Sequence, residues 1–217
     1  MSNITVQASK SKRAEVKITS PRGVAVWPRL DQPDTKFDEN GIYSARLRIP
    51  QDEAKDLIAA IQKEAKAHMG KVLPARDNPC WAVEVDKETG EETGHYVFNI
   101  KAKNAMVRDK ANPGQKKLWD KKPVVYDASG KVVTGLKIGG GSVLRVSFDV
   151  TRYDEPKKGL KLDLLAVQVI KLVEYGAAVE SAEDAGFGVE EDGYVSPADS
   201  SAPRAAEADD DGIADDF

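Results

Sequence analysis

The chain has one cysteine, Cys80, and two histidines, His68 and His95, among its 217 residues. A lone thiol forms no intrachain disulfide and no cysteine-based zinc or iron–sulfur site. Two imidazoles leave few ligands for a catalytic zinc and few bases for histidine acid–base chemistry. No apolar run approaches the roughly 20 residues of a membrane-spanning helix, and residues 1–15 lack the apolar stretch of a secretory signal. The expectation is a soluble, intracellular protein. Nucleotide-type phosphate cradling is also missing. Gly139-Gly140-Gly141 is followed by Ser142 rather than by Gly-Lys-Ser/Thr, and it precedes a strand pattern rather than a helix. The carboxylates between Asp86 and Glu92 have no paired histidine, and no nucleophile stands beside a base. The sequence therefore predicts no catalytic residue, no metal and no cofactor: not an enzyme.

What is present is charge, unevenly placed. Residues 176–217 hold thirteen acids against Arg204 alone, a net of −12, whereas residues 1–175 hold 31 bases and 23 acids, a net of +8. The acidic segment is rich in Ala, Gly, Ser and Pro and has too little apolar surface to offset the entropy of ordering, so it reads as a disordered tail. Its end, Asp209-Asp210-Asp211-Gly212-Ile213-Ala214-Asp215-Asp216-Phe217, sets a terminal aromatic among carboxylates. Solubility alone does not ask for Phe217 there. An aromatic beside its own carboxylate suits a basic, apolar pocket on a partner.

The body alternates. Residues 1–13, with Lys10, Lys12 and Arg13, read as a flexible basic arm. Ala14, Val16 and Ile18 start a period-2 strand, continued over 24–27 after a bulge or turn. From 42 to 49, Tyr43, Ala45, Leu47 and Ile49 face one way while Ser44, Arg46 and Arg48 make the other face basic. Over 52–69 the period becomes helical through Ala54, Leu57, Ile58, Ile61, Ala65 and Met69, with acids in the first turn and Gly70 after the last. Strand patterns return over 95–103, 124–133 (a hairpin turned by Asp127-Ala128-Ser129-Gly130), 144–151 and 160–173, where a phase change near Leu164 and Leu165 calls for a bulge. Five or six strands and one helix predict a small, highly curved β-barrel with a helical insertion.

Residues 101–122 are the most informative stretch. Lys101, Lys103, Arg108, Lys110, Lys116, Lys117, Lys121 and Lys122 outnumber Asp109 and Asp120 and surround Met106 and Trp119. Phosphate backbones need cations spread along a groove, and unpaired bases need flat apolar surfaces on which to stack. A long loop of this composition offers both, or it is a solvated lysine loop with Trp119 folded into the core. Phe98 and Phe148 read as core. Trp27, Tyr43, Trp81 and Tyr153 fit either role, Tyr153 being favoured as a contact because Arg152, Lys157 and Lys158 flank it. The candidate nucleic-acid contacts are Lys101, Lys103, Arg108, Lys116, Lys117, Trp119, Lys121, Arg145, Arg152 and Tyr153. The candidate partner contacts are Asp209, Asp210, Asp211, Asp215, Asp216 and Phe217.

The run Trp27-Pro28-Arg29-Leu30-Asp31-Gln32-Pro33-Asp34-Thr35-Lys36-Phe37, the strand ending Gly140-Gly141-Ser142, the strand over 164–174 and the acidic end in Phe resemble the single-stranded-DNA-binding proteins of T7-like bacteriophages. The resemblance spans roughly residues 14–175 and the tail. It implies a mainly β protein: a five-stranded Greek-key OB-fold barrel over 14–175 with one α-helix between strands 2 and 3, and a tail over 176–217. It further implies sequence-independent binding of single-stranded DNA in phage replication, recombination and repair, annealing of complementary strands, and a homodimer in the cytoplasm of the infected host. Replication proteins such as DNA polymerase and helicase-primase would bind the tail. RNA binding or chaperoning on the same fold, or service as a non-catalytic subunit of a DNA-processing enzyme, is the alternative.

Overall fold

The computed structural model describes residues 4–12 and 14–174. The segment over 176–217 read above as a tail, with its candidate partner contacts, lies outside the described residues. In chain order the elements are β1 (Thr5–Ala8), β2 (Ala14–Thr19), β3 (Gly23–Asp34), β4 (Ile42–Pro50), α1 (Lys55–Met69), β5 (Trp81–Val85), β6 (Glu92–Lys103), β7 (Ala105–Arg108), β8 (Lys116–Trp119), β9 (Val124–Tyr126), β10 (Val132–Val133), β11 (Val143–Tyr153) and β12 (Gly159–Lys171).

Five of these close a barrel. β3 pairs antiparallel with β4, β4 with β6, β6 runs parallel to β12, β12 pairs antiparallel with β11, and β11 returns to β3 through Val143 opposite Val24. With α1 between the second and third barrel strands, this is an OB-fold. The inward set follows the alternation in the sequence: Tyr43, Ala45, Leu47 and Ile49 of β4, Phe98 and Ile100 of β6, and Leu144, Val146, Phe148 and Val150 of β11 are all buried. The expected bulge is at Leu165, skipped where Ser147 faces Ala166 and Phe148 faces Leu164. Extra residues on one strand bend it and tighten the local twist, which a small barrel requires.

β3 is longer than its apolar pattern predicts because Pro28 and Pro33, which donate no amide hydrogen, fall where its register with β4 slips. The helix buries Leu57, Ile61 and Ala65, and Gly70 ends it at φ 72°, its amide donating to the Lys66 carbonyl at 3.0 Å. That φ favours glycine.

Two expectations change. Thr5–Ala8, within the stretch expected to be a flexible arm, is a strand on the β2 edge, with Thr5 opposite Thr19 and Ala8 opposite Val16. All four residues are exposed; backbone hydrogen bonds hold this strand, so no apolar alternation announced it. Residues 101–122 are not a loop. Lys101 and Lys103 end β6, and β7 and β8 form a separate two-stranded sheet.

Trp81 is fully buried, its ring tilted on Phe98 at a centroid distance of 6.1 Å and its indole N–H donating to the Ala75 carbonyl at 3.1 Å. Tyr43 is buried as well. Two of the four aromatics left open by the sequence thus belong to the core. Burial pushes the Cys80 thiol up from 9.0 to about 12. Burial, followed by the hydrogen bond to Asp120 and that residue's charge, pushes the Tyr43 hydroxyl up from 10.0 to about 12. Each group therefore ionises at lower pH in the unfolded chain. As pH rises, the unfolded state loses these protons first, so stability that is full below about pH 9 falls between about 9 and 12. Denaturation midpoints should decline across that window, and Cys80→Ala should decline less steeply; equal slopes would mean that the thiol does not contribute.

Candidate nucleic-acid interface

Residues opposite one another in neighbouring strands share a face. On the outer face of β3, β4 and β6 the register sets Arg46 between Val26 and Asn99, Ser44 between Arg29 and Lys101, Arg48 between Val24 and Val97, and Ile42 opposite Lys103. Five cations, Arg29, Arg46, Arg48, Lys101 and Lys103, therefore project from one wall of the barrel. Three of them, Arg29, Arg46 and Lys101, make no ion pair among the described residues. Arg48 meets Glu84 at 2.6 Å and Lys103 meets Asp38 at 2.6 Å. The Lys103 hydrogen bond leads the causes that hold the Asp38 carboxyl below its usual value.

Beyond this wall stands the β7–β8 hairpin. Its pairing puts Ala105, Val107, Lys117 and Trp119 on one face and Met106, Arg108, Lys116 and Leu118 on the other. Trp119 is 55% exposed, with the Lys121 ammonium 4.7 Å from its ring centroid. Both apolar side chains of the second face, Met106 and Leu118, are exposed beside Arg108 and Lys116. Lys117 lies 3.5 Å from Asp109 at the hairpin turn. Beneath Trp119 a groove of about 580 Å³ is lined by Lys12, Ala102, Lys121, Lys122, Asp163 and Leu165, among others.

Asn104 fixes the hairpin to the barrel. It is fully buried in the angle between β6 and β7; its amide donates to the Gly41 carbonyl at 3.1 Å, its Nδ2 to the Asn40 carbonyl at 2.9 Å, and its Oδ1 accepts from the Lys121 amide at 2.8 Å. One side chain thus ties both legs of the hairpin to the β3–β4 turn. That turn carries Phe37, 84% exposed, with Lys36 5.4 Å from its ring centroid.

The candidate contacts do not all converge. Lys101, Lys103, Arg108, Lys116, Lys117, Trp119 and Lys121 belong to the wall and hairpin just described. Arg145 does not: it faces Gln168 on β12, five residues beyond the Asp163 that adjoins Lys101, or roughly 16 Å at 3.3 Å per residue. Its Nε donates to the Ser20 carbonyl at 3.2 Å.

Arg152 and Tyr153 belong to the junction of helix and barrel. The Arg152 guanidinium meets Glu64 of α1 at 2.8 Å and Glu15 of β2 at 3.1 Å, with its Nε buried. The Tyr153 ring covers Gly159, where a Cβ would come within 2.3 Å of it, and the Tyr153 carbonyl lies 3.0 Å from His68 Nε2. Flanking charge suggested a binding role for both. Contacts from elements distant in sequence occupy them instead.

Sequence reasoning left Arg29, Arg46 and Arg48 off the contact set, although the basic alternation in β4 was the signal for Arg46 and Arg48. It also left Trp27 undecided. Trp27 is 77% exposed and has φ 49°, the one non-glycine residue at positive φ among the described residues. Such a conformation costs on the order of 1–3 kcal/mol.

No family model and no curated protein matches the chain. Solved structures do. The single-stranded-DNA-binding protein gp2.5 of bacteriophage T7 is 26% identical with a TM-score of 0.53, over 83% of this chain and 98% of that one. The single-stranded-DNA-binding protein of bacteriophage Enc34 is 16% identical with a TM-score of 0.51, over 84% and 99%. The same Enc34 protein in complex with single-stranded DNA gives 16% and 0.53, over 80% and 99%. The likeness to the Enc34 structures is one of fold; that to gp2.5 adds a quarter of the residues.

Asn104→Ala would leave the Lys121 amide and the Asn40 carbonyl without their partner, each loss costing about 1–3 kcal/mol where the group stays buried. Amide hydrogen exchange should speed up across residues 105–121 while β4, β6 and β11 keep their protection. Uniform acceleration throughout the barrel would instead make Asn104 a core residue and not a hairpin clamp.

Proposed function

We propose that this chain is a non-catalytic single-stranded-DNA-binding protein that coats unpaired strands without sequence preference. The observation that carries the reading is a row of outward cations on β3, β4 and β6 that leads into a hairpin bearing an exposed, cation-backed tryptophan. Cations spaced along a wall neutralise successive phosphates, and an indole with one face covered by Lys121 offers its other face to a base. The base edges are not read, so binding is sequence-tolerant. The likeness to gp2.5 supports the same reading.

The finer parts of the proposal rest on the sequence. A segment of −12 ending in Phe217 suits recruitment of replication proteins such as polymerase and helicase-primase. Strand annealing, a homodimeric state and a place in the cytoplasm of an infected bacterium complete the proposal, supported by the resemblance to T7-like phage proteins.

Titrating oligonucleotides against intrinsic fluorescence at several salt concentrations tests the core of it. Log affinity should fall with log salt at roughly −0.7 per neutralised phosphate, and removing the charges of Lys101 and Lys116 together should flatten the slope by roughly 1.4. Arg152→Met should leave affinity per folded molecule unchanged. An unaltered slope in the double variant would exclude the wall and hairpin from the site, and tighter binding of an RNA oligomer of equal length would favour the RNA-binding alternative.

Trp119→Ala should cost about 1–3 kcal/mol of binding without unfolding the barrel. A loss of stability with unchanged affinity per folded molecule would return Trp119 to a structural role.

A further inference from the structure

We infer that Trp27 and the barrel seam beside it form a second nucleobase subsite, in which one unpaired base stacks on the indole while its neighbouring phosphates meet Arg46 and Arg48. The inference rests on the proposed binding of single-stranded DNA and adds to it a stacking platform that the contact set did not contain.

Three observations converge on this residue. First, Trp27 contributes little to the core, because most of its surface faces solvent. Second, its backbone is held at φ 49°, a conformation that residues with a Cβ avoid and that glycine or asparagine would adopt with less strain. A large aromatic that neither buries itself nor suits its own backbone is explained by what its ring can meet. Strain of this kind gathers at ligand-binding positions.

Third, Trp27 borders an open space. Between β3 and the turn over 139–141 that precedes β11 lies a cavity of about 470 Å³ whose walls include Val24, Val26, Trp27, Arg48, Gly140 and Glu174. Gly140 packs loosely on this strand: a Cβ there would make only ordinary contact, 3.9 Å from the Ala25 carbonyl and the Trp27 amide. Val26 sits opposite Arg46 and Val24 opposite Arg48, so both arginines lie along the β4 side of the strand that carries Trp27.

The charge pattern selects the occupant. Phosphates suit the arginine side, but the Glu174 carboxylate on the seam side repels an anion and accepts hydrogen bonds from the ring and amino N–H groups of a base. A base in the seam and a backbone along the arginines satisfy both. Trp27 is on β3, and Trp119 is on the hairpin that follows β6. A single strand crossing β3, β4 and β6 would then have a stacking residue on the first strand and another beyond the last, with cations between.

The test uses the full chain and an oligothymidylate long enough to span the wall. Trp27→Asn should melt no lower than the wild type, because asparagine accepts the left-handed backbone, yet should bind about 5- to 150-fold more weakly, the range expected for one lost stack. Trp27→Phe should recover most of the affinity. In a Trp119→Phe background the remaining tryptophans are Trp27 and the buried Trp81, so quenching of fluorescence on DNA addition reports on Trp27.

Wild-type affinity in Trp27→Asn, or no quenching in the Trp119→Phe background while DNA is bound, would overturn the subsite and leave the parent reading intact. A fall in melting temperature that accounts for the whole loss of binding would overturn it too, by making Trp27 structural. Absence of any binding by the wild type would remove both the subsite and the function on which it rests.

Discussion

Closure of the barrel is the constraint on which the rest of the molecule depends. Five strands enclose one core only if β6 reaches β12 and β11 reaches β3, and both junctions are short: Leu162 and Asp163 against Ile100 and Lys101, and Val143 and Leu144 against Val24 and Gly23. Ser142 reinforces the second, its carbonyl accepting from the Ala25 amide at 2.8 Å. Once the sheet is closed, every second residue must fill the interior and the others must face out. The cationic wall is thus the necessary counterpart of the apolar set Tyr43, Ala45, Leu47 and Ile49, and a slip of one residue in β4 would bury Arg46 and Arg48.

The ion pairs follow from that exposure. Lys103–Asp38, Arg48–Glu84 and Lys122–Asp31 all involve partly exposed side chains. A pair exposed on both sides, such as Lys122–Asp31, contributes about 0–1 kcal/mol to stability, so a phosphate can replace that carboxylate at little cost to the fold. Arg152 differs. Its partner Glu64 is buried under the helix, and losing one member of such a pair strands the other in the interior. The same residue type is available to ligand on the barrel wall and committed to structure at the helix junction.

Aromatic side chains divide along the same line. Trp81, Phe98, Phe148 and Tyr43 fill the interior, whereas Trp27, Phe37 and Trp119 stay largely exposed. Phe37 and Trp119 each carry a lysine near the ring. A cation over one face of an aromatic holds the ring in place without burying it, which leaves the opposite face for a planar ligand.

The sequence by itself determined the parts that local periodicity controls. The alternation in β4, β6 and β11, the helix with its closing Gly70, the hairpin turned at Asp127–Gly130 and the bulge at Leu165 were all legible, because each is written in neighbouring residues. The basic stretch around Trp119 was legible as composition. What it became was decided by tertiary structure: a hairpin clamped by Asn104, whose partners Asn40 and Gly41 lie more than sixty residues away. β1 escaped notice because an edge strand held by backbone hydrogen bonds needs no apolar pattern. Arg145, Arg152 and Tyr153 stand apart from the wall and hairpin for one reason. Flanking charge describes a residue's neighbours along the chain, whereas availability to a ligand depends on neighbours in space, and the closed sheet and the helix packed on it supplied Ser20, Glu15, Glu64 and Gly159.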